Sequence, residues 1–147
     1  MNSGEEEIID ILLIEDNPAD AHLIELSIEE YHIPLKMNWI ENGEEALDYL
    51  RAEGKFANIE NRKKPRLIIL DLKLPRFTGS EILKTRPSWK DLDNIPVVMH
   101  SSSQLHQEIT NCLENGAADF FVKSIDLAEF FSDCHRIFDR WLIKQVD

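Results

Sequence analysis

The chain has 147 residues, of which 43% are hydrophobic and 30% charged, with a formal net charge of -12; that is room for one domain and one sizeable core. The acidic balance repels a phosphate backbone, which excludes direct nucleic-acid binding. No apolar run approaches the roughly 20 residues that span a bilayer, and the start MNSGEEEIID lacks the basic and long apolar regions of an export signal, so a cytoplasmic protein with no membrane contact is expected.

Short runs of Val, Ile and Leu alternate with segments of helical period, the pattern of parallel strands joined by crossover helices. The first strand is IIDILLI, Ile8 to Ile14, followed by Glu15 and Asp16 and by a helix capped by Asn17, with Pro18 in its first turn, running to about Tyr31. A second strand spans Leu35 to Ile40. The next helix starts at Asn42 with Glu45 in a capping-box-like pair, carries Ala46, Leu47 and Leu50 on its apolar stripe, and stops at Gly54.

From Lys55 to Pro65 the sequence is polar and broken, and its basic residues Arg62, Lys63, Lys64 and Arg66 are expected in a solvated loop. It then condenses into LIILD, a strand from Leu67 with Asp71 at its carboxyl end. Gly79 opens a third helix that Pro87 cuts short. The fourth strand, IPVVMH, ends at Ser101, and Ser101 to Ser103 open a helix that reaches Asn115, with Gly116 beyond its end. A short strand, Phe120 to Val122, stops at Lys123, and a last helix fills the remainder. Cys112 and Cys134 stand alone in amphipathic segments without metal-ligand spacing and are expected as buried thiols.

In open parallel sheets ligands bind where the strand order switches, at the carboxyl ends of the strands. With the order 2-1-3-4-5, strands one and three are neighbours, and Glu15, Asp16 and Asp71 crowd one crevice. Two unit charges about 4 Å apart repel by roughly 4 kcal/mol at an effective dielectric near 20, so the cluster must hold protons or a cation. Oxygen ligands with positions open to water suit Mg2+, with Mn2+ as a substitute. A carboxylate can itself attack phosphorus when charge on the transferring group is neutralised. Lys123 is the cation by position, and Ser101 offers a hydroxyl at the end of strand four. Singly, each residue has a plainer role as a cap, a turn former or a surface charge; their joint placement carries the chemistry.

At these residues the sequence resembles the response-regulator receiver family of two-component systems. The likeness covers about Asp10 to Leu142 and rests on ILLIEDNPAD, LIILDLKLPRFTG, IPVVMHS and GAADFFVK. The resemblance implies a flavodoxin-like doubly wound sheet of five parallel strands in the order 2-1-3-4-5, with helices on both faces. It implies phosphorylation of Asp71 by a histidine kinase, magnesium bound by Glu15, Asp16, Asp71 and the backbone carbonyl of Lys73, and Ser101 and Phe120 as a switch pair beside Lys123. The partner would be a histidine kinase, and a weaker likeness to single-domain phytochrome-associated regulators points to a phytochrome-like sensor. The whole chain, residues 1–147, reads as one receiver domain with its core at about 8–142, an acidic N-terminal tail and no output domain of its own.

The sequence departs from the family where Ser124, rather than proline, follows Lys123. A cis bond before serine costs about 2.5 to 4 kcal/mol, which favours a trans loop. His100 occupies a strand position that is usually apolar and is expected as a hydrogen-bonded core or rim residue. Trp39, Trp89 and Trp141 share no spacing and are expected in core or interface packing. In the last helix, Asp126 to Val146, a broad apolar stripe ends in Phe138, Trp141 and Leu142. A helix of about 20 residues is roughly 30 Å long, so Trp141, Leu142 and Ile143 are expected to project beyond the body and, with Phe138, to favour a homodimer, the alternative being a tail folded onto its own core.

The main expectation is therefore a phosphoacceptor signalling protein, not a turnover enzyme. An aspartate-nucleophile phosphatase would place a second aspartate where Lys73 stands. The alternative is a degenerate receiver acting as a constitutive scaffold.

Overall fold

The computed structural model describes residues 7–58 and 62–143; the acidic start and Lys144 to Val146 of the expected terminal helix lie outside them. Five strands form one parallel sheet, as the sequence pattern predicts, in the order β2-β1-β3-β4-β5 that the family resemblance implies. They are β1 (Ile8–Ile14), β2 (Met37–Ile40), β3 (Lys64–Leu70), β4 (Val97–Ser101) and β5 (Asp119–Val122), and between and after them run α1 (Pro18–Glu29), α2 (Gly43–Arg51), α3 (Gly79–Lys84), α4 (His106–Glu114) and α5 (Leu127–Phe138).

The central strands read as unbroken apolar runs because helices cover both faces of the sheet. Successive side chains alternate between two cores. Leu12, Ile14, Ile68, Leu70, Val97 and Met99 meet residues of α2, α3 and α4 on one face. Ile11, Leu13, Leu67, Ile69 and Val98 meet α1 and α5 through Ala21, Ile24, Phe130, Ile137 and Phe138 on the other. Cys112 and Cys134 are buried free thiols, one in each core.

Several boundaries differ from the sequence expectation for identifiable reasons. Helix α2 ends at Ala52, in the left-handed region at φ 56, two residues before Gly54. Strand β3 starts at Lys64, so much of the basic run is structural. Arg62 is buried, donating to the carbonyls of Tyr49, Leu50 and Lys90 at 3.2, 3.4 and 3.0 Å, and Arg66 pairs with Asp10 at 3.0 Å. Helix α4 begins at His106 rather than at the serines. Ser103 bonds Glu108 with its hydroxyl and accepts from the Leu105 N–H at 3.4 Å, which consumes the serine run in the connection before the helix.

The expected projection of the last helix is corrected. Phe138 and Leu142 are buried in the core shared with α1, and Trp141 packs against it half-buried. The regular helix gives way at Asp139–Ile143 to a π-turn, and Leu142, four residues beyond Phe138, stays on the same buried face. Arg66 fixes that turn by donating to the Leu142 carbonyl at 2.7 Å, and the Tyr31 hydroxyl bonds Asp139. A homodimer face made of Phe138, Trp141 and Leu142 therefore has two of its three residues committed to the protomer's own interior.

Candidate functional site

The parallel topology brings the residues after β1, β3, β4 and β5 to one edge. The ladder continues into the site, since the Glu15 N–H donates to the Ile40 carbonyl and the Asp71 N–H to the Ile14 carbonyl, each at 3.0 Å. Both acids are thus held by neighbouring strands before any side-chain contact forms. Glu15 is 1% exposed and Asp71 6%, while Asp16 is half-buried. Each of the three offers a carboxylate oxygen within 4.8 Å of the others.

Lys123 lies among these acids, its side chain 10% exposed. Its Nζ is 3.0 Å from Asp71 Oδ2, 2.8 Å from Glu15 Oε1 and 2.8 Å from Asp20 Oδ2. The contact with Glu15 is close but not aligned as a hydrogen bond, and Glu15 Oε1 is a buried oxygen without one. Burial pushes the Glu15 carboxyl up to about 8, reinforced by Asp71 and opposed by Lys123. Burial alone would push Lys123 down, but its bond to Asp20 and the charges of Glu15 and Asp71 outweigh that and carry it upward. The surrounding carboxylates favour the charged ammonium, while burial favours the protonated form of Glu15.

The loop after β3 is shaped around Asp71. The Lys73 N–H donates to Asp71 Oδ1 at 3.3 Å, and the Gly79 N–H donates to the Leu72 carbonyl at 2.7 Å. A Cβ on Gly79 would sit 2.3 Å from the Asp71 carbonyl oxygen, so only glycine lets the chain fold back this closely. Thr78 and Glu81 then start α3 with a capping box.

Ser101 is buried, and its Oγ accepts from the Ser103 N–H at 3.4 Å; no hydrogen bond joins it to Asp71 among the described residues. Its carbonyl accepts from the Lys123 N–H at 2.8 Å, tying β4 to the lysine. The register pairs Met99 with Phe120 and Ser101 with Val122, so Ser101 and Phe120 share one sheet face, where half-buried Phe120 packs on the α4-side core. Within the described residues there is no cis peptide, so the bond after Lys123 is trans. Ser124 bonds Glu129 at 3.0 Å and accepts from the Asp126 N–H, while Asp126 caps α5.

Two contacts escaped the sequence reading. Asp20 is a first-turn acid of α1, where an acidic residue is ordinary, and only the fold brings it to Lys123. Trp39, expected in packing, donates its indole N–H to the Glu15 carbonyl at 2.7 Å. His100 is buried as expected but not hydrogen-bonded: both ring nitrogens lack a partner, and burial followed by the charge of Lys123 lowers it to about 4.

An all-oxygen set of three carboxylates with oxygens within 4.8 Å of one another fits a hard divalent ion. Comparison with known proteins points the same way. The model of the response regulator receiver domain matches residues 11–134. The chain is 32% identical to the probable methanogenesis regulatory protein FilR2 of Methanothrix harundinacea, across 90% of this chain and 83% of that one. It is 31% identical to the response regulator Rcp1 of Synechocystis sp., covering 90% and 88%. The structure of Rcp1 in a Mn2+-bound form superposes with a TM-score of 0.83 over 95% of this chain and 97% of that one. The phosphorylated cyanobacterial phytochrome response regulator RcpA gives 0.84, with 33% identity and coverage of 97% and 98%.

Proposed function

Because this chain belongs to the response regulator receiver domain family, we propose that it accepts a phosphoryl group on Asp71 from a histidine kinase and signals by a change of conformation. The observation that carries the reading is the convergence of Glu15, Asp16 and Asp71 around a pocket shared with Lys123. An Asp71 carboxylate oxygen attacks phosphorus, the bond from phosphorus to the kinase's imidazole nitrogen breaks, and the electron pair remains on that nitrogen. Lys123 meets charge developing on the phosphoryl oxygens.

Glu15, Asp16, Asp71 and the Lys73 carbonyl would hold Mg2+, with Mn2+ as a substitute, and the ion would neutralise the carboxylates and the incoming phosphoryl oxygens. Ser101 would donate its hydroxyl to the phosphoryl group, releasing the Ser103 N–H, and Phe120 would turn into the space behind it. The likeness to Rcp1 and RcpA supports a phytochrome-type kinase as partner. Thermal melts with magnesium and beryllofluoride test the reading: the native protein should be stabilised and Asp71→Asn should not. A native melting temperature unmoved by the pair would oppose it.

A further inference from the structure

We propose that Asp20 is a positioning residue that aims Lys123 at the phosphoryl group once the other carboxylates around the lysine are engaged. The inference rests on the phosphoacceptor reading of Asp71.

Three carboxylates contact the Lys123 ammonium, at 2.8, 2.8 and 3.0 Å. Glu15 and Asp71 also belong to the group whose oxygens converge on one point, with Asp16; Asp20 stands outside it. When a divalent ion draws on Glu15 and Asp71, and the Asp71 oxygen becomes esterified, two of the three anions around Lys123 are committed elsewhere. Asp20 lies outside that cluster and stays in contact with the lysine. An ammonium has three donors, so one can remain on Asp20 while another turns to a phosphoryl oxygen.

Asp20 is also well anchored. Its N–H donates to Asn17 Oδ1 at 3.3 Å, and the Asn17 N–H donates to Glu15 Oε2 at 3.2 Å. One residue thus ties the start of α1 to the acidic end of β1. The Asp20 bond reaches the lysine across 103 positions of sequence, and it fixes a side chain whose four-carbon stem would otherwise sample many rotamers.

The test compares the rate at which acetyl phosphate labels Asp71, at saturating Mg2+, with the affinity for Mg2+ alone. Native protein, Asp20→Ala and Asp20→Asn are measured, each also in a Lys123→Ala background followed over long incubation. Loss of a charge-assisted hydrogen bond should slow labelling of Asp20→Ala about tenfold, with a much smaller change in Mg2+ affinity. Asp20→Asn, which keeps an acceptor oxygen, should recover part of the rate. In the Lys123→Ala background the Asp20 substitutions should have almost no effect, because residues acting through one another are non-additive.

Equal slowing in both backgrounds, or a Mg2+ affinity that falls as far as the rate, would overturn the inference and leave Asp20 as a capping acid or a general charge. Native protein that labels normally beside unchanged Asp20 variants would sink this inference alone. Native protein that never labels would remove the phosphoacceptor reading and this one with it.

Discussion

The Trp39 indole N–H donates to the backbone carbonyl of Glu15 across 2.7 Å, bridging the end of β2 to the start of the acidic loop. Trp39 is 39% exposed, so the bond rather than burial explains its position. Trp39→Phe keeps the ring and removes the donor, which should cost about 1 kcal/mol of stability and weaken Mg2+ binding. Trp89 is buried against the α2 to α4 core and Trp141 lies on the terminal turn, so Trp39 should dominate any change in tryptophan emission on adding Mg2+. An emission change that survives in Trp39→Phe would contradict this.

Glu15 gives the site a pH dependence. Its carboxyl is raised to about 8, so in the metal-free protein the fold retains a proton that the unfolded chain loses above 4.5. Metal-free stability should therefore fall as pH rises from 4.5 to about 8. A divalent ion needs the carboxylate, so binding should release a proton, and affinity should climb with pH and level off above about 8. Calorimetric titrations in buffers of different ionisation enthalpy measure that proton. Glu15→Gln should flatten the profile, and a flat native profile would argue against the buried acid.

The strands and the candidate residues at their ends could be read from the chain because each rests on a local signal: continuous apolar runs for β1, β3 and β4, and an acid, hydroxyl or lysine ending each of four strands; the strand order came from the family resemblance. Asp20 and Trp39 were hidden because their roles depend on which strand lies beside which, while their own neighbours in sequence suit a helix start and a pleated edge. The terminal helix misled for a different reason. A stripe of Phe138, Trp141 and Leu142 looks surplus only if the helix outruns the sheet, whereas Leu142 sits in the core beside Phe138, with Arg66 holding its carbonyl.

That correction has its own consequence. Leu142→Ala should destabilise the fold by about 2 to 5 kcal/mol, as deletion of a buried leucine does, read by urea unfolding. The loss should be independent of protein concentration. A loss that appears only at low concentration would restore these residues to an interface between copies.

His100 predicts acid sensitivity. It is 1% exposed, and burial holds it near 4 against an ordinary 6.5. As pH falls through 6.5 the unfolded chain takes up a proton that the fold refuses until about 4, so stability should be lost across that window, by up to about 3 kcal/mol. His100→Leu should remove that slope without lowering stability at neutral pH, since the ring leaves two buried nitrogens unpaired. Urea unfolding at several pH values would reveal it, and an unchanged slope in the variant would assign the acid sensitivity elsewhere.

Gly79 tests the geometry around Asp71 without touching a charge. Gly79→Ala forces a Cβ to 2.3 Å from the Asp71 carbonyl oxygen, so the loop must move, at a cost of about 1 to 3 kcal/mol. Mg2+ affinity should fall with stability. A variant as stable as the native protein would mean that the loop yields freely.

Intact-protein mass spectrometry after incubation with acetyl phosphate and Mg2+ addresses the central claim directly. The native chain should gain the mass of one phosphoryl group, lost on mild alkaline treatment as an acyl phosphate is, and neither Asp71→Asn nor native protein kept with a chelator should gain it. Native protein that gains no mass, or Asp71→Asn that gains as much, would contradict the assignment of Asp71 as the phosphoacceptor.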